Sequence, residues 1–162
     1  MKATKLLKFA IYLSVRNFNF LSHLIVLILR YLFAFEAYVN KHTKIGGNVQ
    51  FKHNGLGCVI HPRINIGDNC WIYQNVTIGA NTRYRNGVLD NTGAPTIGSN
   101  TVIYSGAVIV GPITVGENCV IGANTVVSKN IPSNSIVYGN PAIVKEIKEG
   151  IDYITPKSLI EK

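Results

Sequence analysis

The sequence predicts an all-β chain of stacked six-residue repeats that follows an N-terminal helical segment. Three observations predict this fold class: branched aliphatic residues recur every six positions from Ile60 to Val127 with one interruption, turn residues follow them in register, and residues 1–41 are apolar and basic without the repeat. A period of six suits strands whose side chains alternate in and out, each followed by a tight turn. Every unit then sends its aliphatic side chain to the same interior.

The N-terminal segment, residues 1–41, carries much of the basic character of the chain, whose formal net charge is +8. Its basic residues, against Glu36 as the single acid, are Lys2, Lys5, Lys8, Arg16, Arg30 and Lys41. Arg16 and Arg30 interrupt the apolar stretch at a spacing below the about 20 residues of a spanning helix, which is the least favoured alternative. We expect one or two helices that either pack on a partner subunit or lie on a membrane surface with their basic side chains towards acidic lipid.

The repeat continues to Val127 with one interruption. Its aliphatic positions are Ile60, Ile66, Ile72 and Ile78, and then Ile97, Ile103, Ile109, Val115, Ile121 and Val127. The turn pattern aliphatic-Gly-x-Asn occurs as IGGN (45–48), IGDN (66–69), IGAN (78–81), IGSN (97–100), VGEN (115–118) and IGAN (121–124). Gly and Asn both tolerate positive φ, so we expect this backbone conformation at the corners.

These patterns divide the chain into a helical segment at 1–41, a repeat domain at 42–148 and a C-terminal tail at 149–162. Cys58, Cys70 and Cys119 are odd in number, widely spaced and without a C-x-x-C pair, which argues against a disulfide framework and a zinc site. We expect buried free thiols, as in a reducing cytoplasm.

The repeat resembles that of the hexapeptide-repeat acyltransferases from Thr43 to Lys148. This resemblance implies a left-handed parallel β-helix of triangular coils, with about five coils in this chain. The handedness rests on the resemblance alone, because left-handed winding departs from the usual crossover rule. Members of the family are generally trimers with active sites between neighbouring prisms, so we expect a homotrimer.

Two stretches break the repeat, and irregular loops on a rigid scaffold often carry function. The first is QFKHNGLGCVIHP, residues 50–62, and the second is ANTRYRNGVLDNTGAP, residues 80–95. The segments FKHNGLGCVIHP, QNVTIGAN and YGNPAIVKEI resemble the serine acetyltransferase branch of the family. The overall pattern is most similar to the capsule and exopolysaccharide O-acetyltransferases within that branch.

The resemblance implies that His53 is the catalytic base. Transfer of an acetyl group from a thioester to a hydroxyl requires removal of the hydroxyl proton, which an imidazole with a reference pKa of about 6.5 can accept at neutral pH. His42 and His61 are weaker candidates, and His23 is expected to be structural. The set of His42, His53 and His61 is also comparable with the zinc ligands of β-helical carbonic anhydrases, but the long-then-short histidine spacing of those enzymes is absent. We therefore expect no metal.

A catalytic imidazole usually needs a partner that holds its tautomer. The family places an acid shortly before the first repeat, and alignment on KIG puts Tyr38 at that position. Glu36, two residues upstream and hence on the same side of an extended strand, is the candidate replacement. The alternative is that Glu36 is a solvated charge at the end of the helix.

The resemblance implies acetyl-CoA as the co-substrate, lying in the groove between two prisms. Motif matching gives as candidate contacts Gly79, Ala80, Ser105, Gly106 and Ala123, with Lys129 and Lys145 near the phosphates. The two lysines are also explained as surface charges. The sequence contains no P-loop, so this assignment of the donor depends on the resemblance.

Departures from the serine enzymes bear on the acceptor. Gly93-Ala94 replaces their Arg-His pair, and Lys52 replaces the acid before the catalytic His, so groups that would complement the charges of an amino acid are lost. These changes favour a sugar hydroxyl of a surface polysaccharide, or of its lipid-linked precursor, over serine as the alternative.

The loop at 80–95 supplies the candidate acceptor contacts Arg83, Tyr84, Arg85, Asp90 and Asn91, although an ordinary exposed polar loop explains them equally. We expect a cytoplasmic enzyme, at the inner face of the membrane if residues 1–35 touch lipid. A nonenzymatic β-helical scaffold is a less favoured alternative. Nucleic-acid binding is not expected, because the basic residues lie among aliphatics in a helix.

Overall fold

A computed structural model describes residues 2–80, 83–90 and 93–148, with only the backbone at Arg83 and Arg85. Two helices come first, and short strands form nearly all the regular structure that follows. The prediction of a mostly β chain behind an N-terminal helical part is therefore confirmed. The predicted tail at 149–162 lies outside the described residues.

The helices form an antiparallel hairpin. Helix α1 spans Lys2–Val15 and α2 spans Asn19–Phe33, a separation that suits a helical hairpin. Ala10, Leu13 and Ile25 are buried together between the helices. The Ser22 hydroxyl donates a hydrogen bond of 2.8 Å to the carbonyl of Ala10 across the same seam. None of the described helices has the combination of length and apolar character that a membrane span requires.

The helical hairpin packs on the first coil of the chain itself. Ala3, Leu7 and Leu29 are fully buried in the same cluster as the first residues of the β part, Phe35 and Phe51. Polar contacts fix the same junction, since the Phe51 N–H donates to the Thr4 hydroxyl oxygen and Lys8 Nζ donates to the Gly46 carbonyl at 2.6 Å. The sequence predicted packing on a partner or a membrane, whereas the buried side of the hairpin faces its own chain.

Three parallel sheets form the three faces of a prism. The first face consists of β1 Glu36–Ala37, β4 Val59–Ile60, β7 Thr77–Gly79, β12 Val108–Val110 and β15 Val126–Val127. The second consists of β2 Lys44–Ile45, β5 Asn65–Ile66, β10 Thr96–Ile97 and β13 Thr114–Val115. The third consists of β3 Gln50–Phe51, β6 Trp71–Ile72, β11 Val102–Ile103, β14 Val120–Ile121 and β16 Ser135–Tyr138, with β17 Ile143–Glu146 antiparallel to β16.

Strand β1 lies upstream of the predicted domain start at residue 42. It pairs with β4 through Ala37 and Ile60, so the prism already begins at Glu36. The sequence did not show this boundary because no aliphatic-Gly-x-Asn turn precedes IGGN at 45–48. A separate antiparallel hairpin of β8 Arg83–Arg85 and β9 Val88–Asp90 occupies the interruption of the repeat.

The aliphatic repeat forms columns inside the prism, as predicted. On the first face the pairing register aligns Ile60, Ile78, Ile109 and Val127, and all four side chains are buried. Full burial of such a side chain contributes about 1.5–3 kcal/mol. The columns therefore hold successive coils in a fixed register, which determines which loop residues become neighbours.

The three cysteines share this interior. Cys58, Cys70 and Cys119 are buried and free, which confirms the prediction of buried thiols. Burial raises the pKa of Cys58 and of Cys70 to about 11, and it raises that of Cys119 in the same direction. The thiols are therefore protonated at neutral pH and behave as small apolar side chains.

The turn residues divide the expected roles between them. Asn48, Asn69, Asn100 and Asn118 adopt positive φ between the second and third faces. Their amides also bond along the stack, for example from Asn69 Nδ2 to Asn100 Oδ1 at 3.2 Å. The preceding glycines of these turns do not have positive φ. At Gly98 a Cβ would lie 2.6 Å from the Glu117 backbone nitrogen, so this glycine is required by the close approach of the next coil.

Candidate active site

His53 lies in a left-handed turn between the third and first faces. The turn spans Lys52–Gly55, with φ values of 53° at His53 and 56° at Asn54 inside it, and Gly55 continues the run at 72°. Non-glycine residues rarely adopt positive φ, and such strain often occurs at functional sites. The QFKHNGLGCVIHP segment therefore departs from the repeat because it builds this turn.

Neighbouring coils and the end of the helical hairpin hold the turn in place. The Gly57 N–H donates to the Ala34 carbonyl at 2.9 Å, and the Asn75 N–H of the next coil donates to the Leu56 carbonyl at 2.8 Å. Gly55 is buried against the ring of Phe35. The backbone around His53 is thus fixed on both sides, while the His53 side chain itself is exposed.

An aromatic ladder begins at the His53 ring. The ring centres of His53 and Tyr73 are 6.1 Å apart with an interplanar angle of 50°. Tyr73 in turn stacks on Tyr104 at 5.1 Å. Burial, and then the neighbouring Tyr73, raise the pKa of Tyr104. Within the described part of the chain the His53 imidazole has no hydrogen-bond partner, and the residue is exposed.

Lys52 places a cation beside the candidate base. Its Nζ lies 4.1 Å from the centre of the Trp71 ring and donates a hydrogen bond of 2.8 Å to Gln50 Oε1. A cation over an indole is a favourable arrangement. Lys52 therefore places a positive charge at the position where the serine enzymes are expected to carry an acid.

Glu36 does not contact His53 in this chain. Glu36 Oε1 accepts a hydrogen bond of 2.5 Å from the Tyr38 hydroxyl and lies 3.6 Å from a guanidinium nitrogen of Arg30. The hydrogen bond and the negative charge of Glu36 raise the pKa of Tyr38. Glu36 lines a groove of about 650 Å³ between α2 and β1 that also includes His23. Its pairing with His53 stays a prediction.

Three of the candidate CoA residues lie on the corner that carries His53. We call this the His53 corner, formed by residues 52–58, 73–76, 104–107 and 122–125. Backbone hydrogen bonds join its turns directly: Gly106 N–H donates to the Gln74 carbonyl, and Asn124 N–H donates to the Ser105 carbonyl at 3.0 Å. The structure therefore places Ser105 and Gly106 in one coil, and Ala123 in the following coil, on the same corner as the His53 turn.

The remaining CoA candidates lie elsewhere. Gly79 ends strand β7 of the first face and Ala80 follows it into the next corner, where the Gly111 N–H donates to the Gly79 carbonyl. Lys129 lies in a turn near that corner and lines a second groove, of about 330 Å³. Lys145 is on β17, with Nζ 5.5 Å from the Tyr138 ring centre. One chain alone does not gather all seven residues.

The candidate acceptor loop leaves the prism at the far edge of the first face from His53. Tyr84 is exposed near its start, and Arg83 pairs with Asp90 in the backbone ladder of the hairpin. The side chains of Arg83 and Arg85 and the whole of Asn91 lie outside the described residues. Within one chain these residues and His53 are therefore on different corners.

The other histidines differ from His53 in their surroundings. Nδ1 of His61 accepts a hydrogen bond of 3.2 Å from the Arg63 N–H, and burial together with Arg63 lowers the pKa of His61. His42 and His23 are exposed. Among the described residues, no group of three His, Cys, Asp or Glu side chains could hold a metal ion.

Tyr73 and Gln74 are candidate site residues that the sequence did not single out. Tyr73 contacts the His53 ring, and Gln74 Oε1 is buried without a hydrogen-bond partner in the described residues. Position in the repeat could have identified Tyr73. Like Lys52 and Tyr104, it directly follows the last residue of a strand of the third face. That position reaches the corner rather than the interior.

Comparisons with known proteins agree with this architecture. Residues 94–129 match the bacterial transferase hexapeptide family (six repeats). A solved structure described as serine acetyltransferase in complex with CoA matches with a TM-score of 0.75 and 26% identity, over 88% of this chain and 55% of that chain. The match supports the left-handed β-helix implied by the resemblance.

Sequence relatives identify the branch. A serine acetyltransferase of Staphylococcus xylosus is 39% identical over 127 residues, which make up 78% of this chain and 55% of the relative. That of Helicobacter pylori (strain ATCC 700392 / 26695) is 32% identical over 130 residues, 80% of this chain and 71% of the relative.

The chain spans about half the length of the staphylococcal relatives it matches. These relatives support the serine acetyltransferase branch and not the narrower resemblance to capsule and exopolysaccharide enzymes. The chain belongs to the hexapeptide-repeat transferase family, with the serine acetyltransferases as its homologues.

Proposed function

We propose that the chain is an acetyl-CoA-dependent O-acetyltransferase in which His53 is the general base. The observation that carries this proposal is the position of the His53 ring. It projects from a backbone-fixed turn at the head of a corner whose lower turns contain Ser105, Gly106 and Ala123. An extended thioester along that corner would present its carbonyl carbon near the imidazole.

The reaction at this site is a direct transfer. The acceptor hydroxyl attacks the thioester carbonyl while an unprotonated nitrogen of His53 takes the hydroxyl proton. The carbon–sulfur bond then breaks, and the imidazolium returns the proton to the departing thiolate. The thiolate leaves readily because a thiol has a reference pKa of about 8.5. The products are the acetyl ester and the free thiol of CoA, with no net change in protons or electrons.

The donor assignment rests on family membership and on the relative solved in complex with CoA. The small side chain of Ala123 suits the pantetheine arm, whereas the position of a Cβ at Gly106 is already filled by the Asn124 amide of the next coil. Lys129 and Lys145 remain the proposed phosphate contacts. An acetyl-CoA reaction also suits the cytoplasm, which we propose as the compartment.

A homotrimer would complete the site. The outward side of the first face is apolar beside the His53 corner: Val59 and Val126 are exposed, and Val108 is half-buried. Pairing register places these residues in one column with Thr77. A neighbouring prism that covers this column could bring its loop at 80–95 towards His53, although one chain keeps the two apart. About five coils, as the repeat predicts, belong to the same proposal.

The partner of His53 is proposed in two parts. Glu36 could reach the imidazole only after leaving Arg30 and Tyr38, which hold it now. The ring of Tyr73 already contacts the imidazole and restricts its orientation. Tyr73 is therefore proposed as a positioning residue, and Glu36 as a carboxylate that would engage on assembly.

The proposed acceptor is L-serine, because the curated relatives are named serine acetyltransferases. A saccharide hydroxyl is the second candidate, favoured by one observation. Lys52, beside the base, is a cation held over Trp71, and it cannot complement the ammonium group of an amino acid. An acceptor that lacks an ammonium group meets no such conflict.

The test of the base is the variant His53→Gln, with His42→Gln as the matched control because His42 is also an exposed histidine. Release of the CoA thiol is measured with acetyl-CoA and the active acceptor. Loss of the general base should lower kcat by about 10²–10⁴-fold, while CoA binding and the melting temperature are retained. Unchanged turnover in His53→Gln would remove His53 from the mechanism. Absence of CoA binding in the native protein would favour a nonenzymatic scaffold.

The test of the acceptor compares thiol release with L-serine and with a panel of neutral and acidic saccharides. Rapid turnover on serine supports the first candidate. Turnover on a saccharide alone supports the second. The variant Lys52→Asp separates them further, since an acid at this position should improve the KM for serine and leave that for a neutral sugar unchanged.

A further inference from the structure

The helical hairpin leaves an unusual outer surface. Helix α2 buries Ser22, Ile25 and Leu29 but leaves several large apolar side chains exposed. Its exposed large side chains include Phe20 at 87%, Tyr31 at 78% and Leu32 at 75% of their full accessible area. Packing on α1 and on the prism therefore leaves much of the apolar surface of α2 in contact with solvent.

Helix α1 presents a different stripe. Four of its exposed residues follow a spacing of three and four, which places them on one side of the helix: Lys2, Lys5, Phe9 and Tyr12. The exposed Arg16 comes directly after the helix. Phe9 and Tyr12 stack at 6.3 Å, and the Arg16 guanidinium carbon lies 4.9 Å from the centre of the Tyr12 ring. Basic and aromatic side chains in this combination are typical of the boundary between water and lipid.

Charge distinguishes between the possible occupants of this surface. Neither α1 nor the first turn of α2 contains an acidic residue, and the acid that follows, Glu36, is already paired with Arg30. A two-fold contact places the same patch on both subunits, so a second copy would bring unpaired cations against one another. An anionic lipid surface would instead neutralise the cations and accept the apolar side chains.

We propose that the α1–α2 hairpin is a peripheral membrane-binding element that lies on an anionic lipid surface. Phe20, Leu24 and Leu32 of α2 enter the boundary between headgroups and acyl chains, and Lys5 of α1 and Arg16 of the turn after α1 contact lipid phosphates. This inference concerns the outer surface of the helical hairpin and does not depend on the proposed catalysis. It would hold the prism beside the membrane, with the helical end of the prism towards lipid.

The direct experiment is co-sedimentation of the full chain with two vesicle preparations: phosphatidylcholine alone, and equal parts of phosphatidylcholine and phosphatidylglycerol. The native protein should bind the mixed vesicles more tightly, and binding should fall as salt is raised because exposed charges are screened. Each basic residue near an anionic surface strengthens binding by about fivefold. The variants Lys5→Gln and Arg16→Gln should each weaken binding by that factor.

Matched controls separate the helical hairpin from general effects. Lys44→Gln removes an exposed lysine outside the hairpin and should leave vesicle binding unchanged. Phe20→Ser and Leu32→Ser remove apolar surface and should each weaken binding by about tenfold or more. Val88→Ser removes an apolar side chain that is 69% exposed in the β8–β9 hairpin and should have no effect. Melting temperatures of all variants report whether the fold is retained.

Two results would overturn the proposal. In the first, the native protein fails to bind mixed vesicles, or the α1–α2 variants bind as well as the native protein. In the second, Phe20→Ser lowers the particle mass measured by light scattering, and addition of vesicles changes neither the particle mass nor the sedimentation of the native protein. That second result would assign the surface to another copy of this chain.

Discussion

Gly55→Ala tests whether the turn that carries His53 is fixed as the structure shows. Gly55 has a φ of +72°, and its missing Cβ would fall against Cδ1 of Phe35, at 2.7 Å from Cε1 and 2.9 Å from Cγ. Phe35 is fully buried and contacts Phe51 at a ring-centre distance of 4.8 Å. The ring therefore cannot move aside without disturbing the first coil.

Two costs combine in this variant. A left-handed conformation costs an L-residue about 1–2 kcal/mol, and overpacking of a filled core costs about 1–3 kcal/mol. The expected loss in the free energy of unfolding is therefore roughly 2–5 kcal/mol. At about 2–4 °C per kcal/mol for a chain of this size, the melting temperature should fall by roughly 4–20 °C. Turnover should also fall at temperatures where the variant is folded, because the His53 backbone is displaced.

Gly87→Ala is the matched control. Gly87 has a similar φ of +77°, but nothing lies within 4 Å of its Cβ position. It therefore measures the backbone cost alone, about 1–2 kcal/mol. Both variants are unfolded in urea and by heat at one protein concentration, since association would shift the apparent stability. Equal losses for the two variants would refute the close packing of Gly55 on Phe35. A double variant with Phe35→Leu should recover part of the Gly55→Ala loss if the contact exists.

Two further predictions concern the thiols and the aromatic ladder. Burial raises the pKa of Cys58 and Cys70 to about 11 from a reference of 9.0, so the folded state binds more protons than the unfolded state between these values. The contribution of the protonated thiols to the free energy of unfolding is fully present below pH 9 and is lost as pH rises towards 11. A disulfide reagent at pH 8 should label neither Cys58 nor Cys70 until urea unfolds the chain. Rapid labelling of the native protein would contradict their burial. Tyr73→Ala should lower kcat by about tenfold or more, because the orientation of the His53 ring is lost. Tyr73→Phe keeps the ring and should retain kcat and the pH profile. Equal rates for the two variants would exclude a positioning role for Tyr73.

The candidate base was predictable from sequence, whereas its support was not. The segment FKHNGLGC predicted an irregular turn that contains a histidine, because two glycines and an asparagine interrupt a strict repeat. The packing of Gly55 on Phe35 depends on where the helical hairpin ends on the first coil, and no local pattern encodes that contact. The same holds for Glu36: alternation along a strand suggested that it could serve His53, but Arg30 from α2 lies close enough to pair with it.

Turn chemistry was predicted in kind and corrected in detail. Positive φ occurs at the corners as expected, but Asn69 and Asn100 adopt it while the glycines before them do not. Those glycines are explained by the distance between coils, as at Gly98. Sequence shows which residues tolerate an unusual backbone, and only the stacked coils show which of them also lack room for a side chain.

The sequence by itself determined that this chain stacks short strands around an apolar interior. Isoleucine and valine recur with a period of six, and alternation along each strand sends every such residue inward. Only the tertiary structure decided which loops meet. Backbone hydrogen bonds between coils set the register, and this register places Leu56 against Asn75 and Gln74 against Gly106. Residues distant in sequence thereby share one corner with His53. The acceptor loop leaves from another corner, since it extends the chain at the opposite edge of the first face.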